Sequence, residues 1–137
     1  MKYLFDTNIL SELKKIKPEK KVIEFVKSIH NPDIFISCIT IGEIKRGIEI
    51  CKDKDKARDL NKWFDNYLIS EFAERIIDID KNVMLQWSKI HSKTKDLPIF
   101  DSLIAATCLE HKLCLVTRNV KDFVKIANLE IVNPWDN

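Results

Sequence analysis

Three features of this sequence predict an α/β fold: one domain on a central, mostly parallel sheet of four to five strands, with helices on both faces. First, short apolar runs of strand character alternate along the chain with longer stretches whose apolar residues recur at helical spacing. Second, the chain has 137 residues with only two glycines and four prolines, so nothing marks a linker and residues 1–137 read as a single domain. Third, hydrophobic residues make up 45% and charged residues 32%, enough for one sizeable core and far from the composition of a disordered chain.

The elements follow in order. Lys2 to Phe5 reads as a short buried strand, and Asp6-Thr7-Asn8 opens a brief helix through about Leu13, leaving the Asp6 carboxylate at the strand's end. Pro18 suits a first helical position, and Val22, Phe25, Val26 and Ile29 keep helical spacing until Asn31-Pro32 stops the pattern. Ile34 to Ser37 is the second strand, and Thr40 starts a helix with Glu43 in its first turn and Ile41, Ile44 and Ile48 on one side. The mixed-sign run Lys52 to Lys56 reads as a solvated helix start. Leu60, Trp63, Phe64, Tyr67 and Leu68 then form a wide apolar stripe. Ile76 to Ile79 is a third strand, and the helix from about Asp80 to Lys93 turns Val83, Trp87 and Ile90 inward. After Pro98, a helix from Asp101 to about His111 feeds the strand Cys114 to Thr117, and Glu130 to Val132 is the last strand.

This alternation, with right-handed crossovers, brings four polar segments to one edge of the sheet. Asp6 follows the first strand, Glu43 lies in the helix after the second, and Arg118 and Asn119 follow the fourth, which Thr117 ends. Asp101 arrives differently: its helix precedes a parallel strand, runs back across the sheet, and so begins at that same carboxyl edge. Two carboxylates about 4 Å apart repel by about 4 kcal/mol at an effective dielectric of about 20, so three together either hold protons or bind a cation. Oxygen ligands without histidine favour a hard ion, Mg²⁺ or in its place Mn²⁺. Such an ion activates water for attack on a phosphodiester and offsets charge on the reacting phosphate, which points to nuclease chemistry.

Each acid also has a structural reading on its own, because Asp is a favoured N-cap and Thr40-x-x-Glu43 matches a capping box. Thr7, Asn8, Thr117 and Asn119 can serve turns and caps as readily as a ligand. Cys108, His111 and Cys114 lack a fourth zinc ligand, and neither His30 nor His91 has a nucleophile in a recognisable setting. A receiver-like phosphoacceptor module holding Mg²⁺ is the alternative from another class, and the missing adjacent acid pair argues against it. Asp6-x-Asn8 likewise lacks the second acid of an aspartyl phosphatase.

Net charge is +2, so any nucleic-acid affinity rests on local placement of cations, with Lys45, Arg46 and Arg118 the candidates for holding RNA phosphates. The four cysteines form no CxxC pair, and no run is long enough to span a membrane or to serve as a signal peptide core, so a reduced cytoplasm is the expected setting.

Four motifs are similar to those of a known family: Leu-Phe-Asp-Thr-Asn from residue 4, Thr-x-x-Glu-x-x-x-Gly from 40, Asp-Ser-Leu-Ile-Ala-Ala-Thr from 101, and Val-Thr-Arg-Asn-Val-Lys-Asp-Phe from 116. With the closing Asn133-Pro134-Trp135, they resemble the PIN-domain ribonucleases, specifically VapC-type toxins of bacterial toxin–antitoxin pairs. The resemblance implies a three-layer α/β/α sandwich and a Mg²⁺-dependent endoribonuclease. It implies Asp6, Glu43 and Asp101 as the acidic metal site, with Asp6 and Asp101 the direct ligands and Thr7 and Thr117 assisting. Many relatives carry a fourth acid where this chain has Asn119, which leaves one firmly held ion here, and the role of Asp122 open. The resemblance further implies a homodimer and a small VapB-type antitoxin whose C-terminal segment covers the acidic pocket. Operator DNA would be bound only indirectly, through that antitoxin.

Overall fold

The computed structural model describes residues 1–136. Strands β1 (Tyr3–Phe5), β2 (Ile34–Ser37), β3 (Ile76–Ile77), β4 (Cys114–Val116) and β5 (Ile131–Val132) form one sheet in the order β3-β2-β1-β4-β5. Every neighbouring pair is parallel, with Tyr3 opposite Ile34, Leu4 opposite Leu115, Ser37 opposite Ile77 and Val116 opposite Val132. The expected sheet, mostly parallel, is therefore wholly so, as helical crossovers between all five strands require.

Because side chains alternate across a strand, each strand feeds two cores. Leu4, Phe35 and Leu115 point into one, shared with Val83 and Ile90 of α6 (Lys81–His91) and Ile104, Ala105 and Cys108 of α7 (Ile99–His111). Phe5, Ile34, Ile36 and Val116 point into the other, against Ile9 and Leu10 of α1 (Thr7–Leu13), Val22 of α2 (Lys20–Lys27) and Ile48 of α3 (Cys38–Glu49). Burial of a Leu or Val such as Leu4, Leu115 or Val116 contributes about 1.5–3 kcal/mol each, which fixes the centre of the sheet and the loops that leave it.

Local chemistry shifts several boundaries. Helix α3 begins at Cys38 because Ser37, the last residue of β2, is its N-cap and accepts the Ile39 N–H at 3.0 Å. Thr40 therefore caps nothing, Glu43 sits in the second turn rather than the first, and the capping-box reading falls. Likewise α7 starts at Ile99, after Pro98, so Asp101 lies inside the first turn and is not its cap. The stripe from Leu60 to Leu68 is not one regular helix. It begins in α4 (Lys54–Trp63), capped by Asp53, continues through a π-helical segment Phe64–Leu68, and gives way to α5 (Ile69–Glu71). Helix α2 is shorter at both ends than the sequence pattern, β3 stops at Ile77, and a short α8 (Val120–Phe123) buries Phe123 after β4. Short 3-10 turns cover Asn31–Asp33 and Pro134–Asp136. Among the described residues, no helix is long and apolar enough to cross a membrane.

Candidate active site

Asp6 continues the β1 ladder by one residue, its N–H donating to Val116 O at 3.0 Å, and then turns the chain into α1 as the helix N-cap. The residue is 7% exposed and its carboxylate is held on both sides. Oδ1 accepts the Thr7 N–H at 2.8 Å, and Oδ2 accepts the Thr117 hydroxyl at 2.8 Å and an Asn8 Nδ2–H at 3.4 Å. The Thr117 hydroxyl in turn accepts from Asn8 Nδ2 at 3.3 Å and from the Asn119 N–H at 3.1 Å. Burial raises the Asp6 carboxyl above the ordinary range, and the bonds from Thr117 and Thr7 partly offset it. Thus the cap role and the site role are the same geometry: the turn that ends β1 needs a carboxylate, and that carboxylate ends at the edge of the sheet.

Glu43 reaches the same place from α3. Its Oε1 accepts the Thr7 hydroxyl at 2.8 Å, so a residue of α1 pins an acid of α3. Asp101, from the first turn of α7, completes the group. Its carboxyl is pushed up to about 6, first by burial and then by the negative charges of Asp6, Asp122 and Glu43. Repulsion among carboxylates, expected when acids gather, is thus present in the folded chain.

Asp6, Thr7, Asn8, Glu43, Asp101, Arg118 and Asn119 line one open cleft of about 420 Å³ at the carboxyl edge of the sheet. Thr117 lies behind it, wholly buried, as the brace of Asp6. Lys45 is not part of it: its Nζ donates to Asn61 Oδ1 at 2.6 Å and sits 5.2 Å from the Phe64 ring, on the α4 side. Arg46 is exposed and does not line the cleft either. Ser11, Glu12, Lys15 and Trp135 do line it, without having been singled out from the sequence as site residues. The signal for the first three was available, since Asn8, Ser11, Glu12 and Lys15 form a polar stripe at helical spacing opposite Ile9, Leu10 and Leu13. Glu12 is held below the ordinary carboxylate range by Lys15 Nζ at 2.9 Å and the Glu19 N–H at 2.8 Å.

The donor set suits a hard, partly hydrated cation. Among the described residues no three acidic, imidazole or thiol groups close into a ready-made cage, so the acids border a cleft rather than a complete shell. Mg²⁺ keeps several waters and takes one or two carboxylates together with substrate phosphate, so Asp6 and Asp101 could hold such an ion without a closed cage.

An α/β/α domain whose acids gather beyond the carboxyl edge of a parallel sheet is the class that fold and cleft define together. The chain belongs to the PIN-domain family, which it matches over residues 3–129. It is similar to the toxin FitB of Neisseria gonorrhoeae, with 31% identity over 96% of this chain and 97% of that one. The crystal structure of FitAcB from that organism superposes with a TM-score of 0.91 at 29% identity, covering 98% of this chain and 99% of that chain. A VapC ribonuclease, Y4jK of Sinorhizobium fredii, is 24% identical over 97% of each chain. A toxin–antitoxin complex from Klebsiella pneumoniae contains a chain with 30% identity and a TM-score of 0.68, covering 96% of this chain and 97% of that one.

Proposed function

We propose that this chain is the toxin of a toxin–antitoxin pair and a Mg²⁺-dependent endoribonuclease acting in the cytoplasm. The observation that carries the proposal is the gathering of Asp6, Glu43 and Asp101 around one cleft, where burial first, and then the negative charges of Asp6, Asp122 and Glu43, push the Asp101 carboxyl up to about 6. Asp6 and Asp101 are the direct ligands in this reading, with Glu43 the third acid. When bound, Mg²⁺ supplies a Lewis acid that activates water and offsets the charge of the phosphodiester under attack.

The residues of the chain do the rest. Thr117 and Thr7 hold the Asp6 carboxylate in one orientation, and Thr7 holds Glu43, so these two acids are set before substrate arrives. Asn119 contributes its backbone N–H to the Thr117 hydroxyl and lines the cleft without adding a carboxylate, which fits a reading with one firmly held ion. The cleft's openness suits a strand of RNA rather than a small enclosed ligand.

The toxin names of similar proteins and the Klebsiella complex support an antitoxin partner. Beside the acidic cleft runs an apolar groove lined by Ile44, Ile48, Leu60 and Trp63, which suits an apolar segment of such a partner placed over the acids. Contact with operator DNA would then come through the antitoxin, and two copies of this chain would form a homodimer. Total RNA incubated with the purified chain and Mg²⁺ is expected to yield defined fragments, prevented by EDTA and by Asp101→Asn. Undiminished cleavage by Asp101→Asn removes the acidic cleft as the active site.

A further inference from the structure

Arg118 and Trp135 lie 17 positions apart, in the turn after β4 and the 3-10 turn near the C-terminus, yet the chain builds them into one unit on the cleft's rim. The Arg118 N–H donates to Asn8 Oδ1 at 3.3 Å, and Asn133 Nδ2 donates to the Arg118 carbonyl at 3.5 Å. The Trp135 N–H donates to Asn133 Oδ1 at 2.9 Å, and the guanidinium carbon of Arg118 lies 5.0 Å from the centre of the Trp135 ring. Stacking on an aromatic face engages the π-surface of a guanidinium and leaves its N–H edge available. Among the described residues that edge makes no ion pair and no hydrogen bond. Glu12, which feels the Arg118 charge, is engaged by Lys15 and the Glu19 N–H instead. The cleft therefore holds two cations of different kinds: Lys15 committed to a carboxylate, and Arg118 positioned with its donors unspent.

A planar fork of donors fixed beside an acidic cleft matches a phosphate that is not the one under attack. We infer that Arg118, held against Trp135, grips the phosphate neighbouring the scissile one, so that the cleft selects an oligoribonucleotide strand over an isolated phosphodiester, with Trp135 as the positioning residue. This rests on the nuclease reading above. Stacking on Trp135 removes rotamer freedom that a free arginine would lose on binding, so the ring strengthens the grip without touching the RNA.

The test is the salt dependence of binding, measured by fluorescence anisotropy with a short labelled single-stranded oligoribonucleotide in EDTA, where cleavage is off. Arg118→Ala and Trp135→Ala are expected to weaken binding about tenfold at low salt. Arg118→Ala also makes the slope of log K against log salt shallower by about 0.7, the share of one phosphate on a single strand. Trp135→Phe keeps a ring beneath the guanidinium and restores both quantities, and Arg118→Lys restores the slope but not the full affinity. With Mg²⁺ present, Trp135→Ala raises KM for the oligoribonucleotide far more than it lowers kcat. An unchanged slope in Arg118→Ala overturns the phosphate grip, and unchanged affinity in a folded Trp135→Ala overturns the positioning role. Where Trp135→Ala does not fold, weakened binding in a folded Trp135→Phe, which keeps the ring, does so. Absence of RNA cleavage by the unmodified chain in Mg²⁺ overturns the nuclease reading instead, which the metal-free binding series registers separately.

Discussion

The Thr7 hydroxyl donates to Glu43 Oε1 across 2.8 Å, joining two helices through residues 36 positions apart in the chain. Thr7 also gives its backbone N–H to Asp6, so one residue sets two acids at once. The site is thereby a property of the α1 entrance as much as of the acids themselves.

Thr7→Val keeps the shape of the side chain but removes the donor. Loss of about 1 kcal/mol of stability is expected, with cleavage of RNA falling about tenfold as Glu43 loses its anchor. Thr7→Ser should retain both. Urea denaturation and initial cleavage rates check the pair, and an unaffected rate in Thr7→Val would show that the orientation of Glu43 does not matter.

Asp6 and Asp101 should separate when both activity and stability are read. Either substitution to Ala abolishes cleavage in the proposed mechanism, but Asp6→Ala also strands the buried Thr117 hydroxyl and the Thr7 N–H, costing about 2 kcal/mol. Asp101 braces nothing in this way, so Asp101→Asn should not lower the melting temperature of the metal-free chain. Equal destabilisation by the two would contradict the hydrogen bonding described.

Two acids give opposite pH signatures. The folded chain holds the Asp101 carboxyl at about 6 against 3.8 for the unperturbed group, so folding binds a proton there. The stability this contributes is fully present below pH 3.8 and is lost as pH rises through 6, on the order of 1 kcal/mol for a half-exposed group. Glu12 is depressed by Lys15 and the Glu19 N–H, so its contribution is present above 4.5 and is lost as pH falls through the lowered value. Melting curves across pH should therefore flatten between pH 3.8 and about 6 in Asp101→Asn and below pH 4.5 in Glu12→Gln.

Mg²⁺ should raise the melting temperature, equivalent to about 2.7 kcal/mol at a hundredfold excess over its dissociation constant. The rise should grow from pH 5 to pH 7 as the proton leaves Asp101, and should be largely lost in Asp101→Asn. Differential scanning calorimetry reads this without reference to RNA. A Mg²⁺ shift independent of Asp101 would place the ion elsewhere.

Thr40 supplies a test of how α3 begins. It is wholly buried and its hydroxyl has no protein partner among the described residues. Thr40→Val should therefore stabilise the chain by about 1 kcal/mol, whereas a capping residue would destabilise it on the same change. Thermal denaturation decides between the two signs.

The sequence displayed the sheet edge well, because its signals are local. Ile34–Ser37 is a strand of four apolar and small residues closed off by Pro32-Asp33 on one side, and Thr7–Leu13 follows a strong Asp signal. The start of α3 was harder, because Ser37 and Thr40 are both good caps three residues apart and only tertiary packing chooses between them. The π-helical segment is invisible to pattern, since Phe64 and Leu68 keep helical spacing whichever way the turn widens. The position of Lys45 away from the cleft was legible: two residues after Glu43 on a helix, it lies nearly opposite and does not share the acid's direction. Trp135 was beyond reach, because its place beside Arg118 depends on β5 returning along β4, a contact that no local window contains.

The backbone bond from the Asp6 amide to Val116 ties the acid to the innermost pair of strands. Exchange of that amide with deuterated solvent should then require the whole domain to open, as for Leu4, while amides around Trp135 exchange through fraying of the short outer strand. The proposed chemistry would sit on the slowest-breathing part of the molecule and the proposed grip on one of the quickest, so a partner arriving at the rim can rearrange the second without loosening the first.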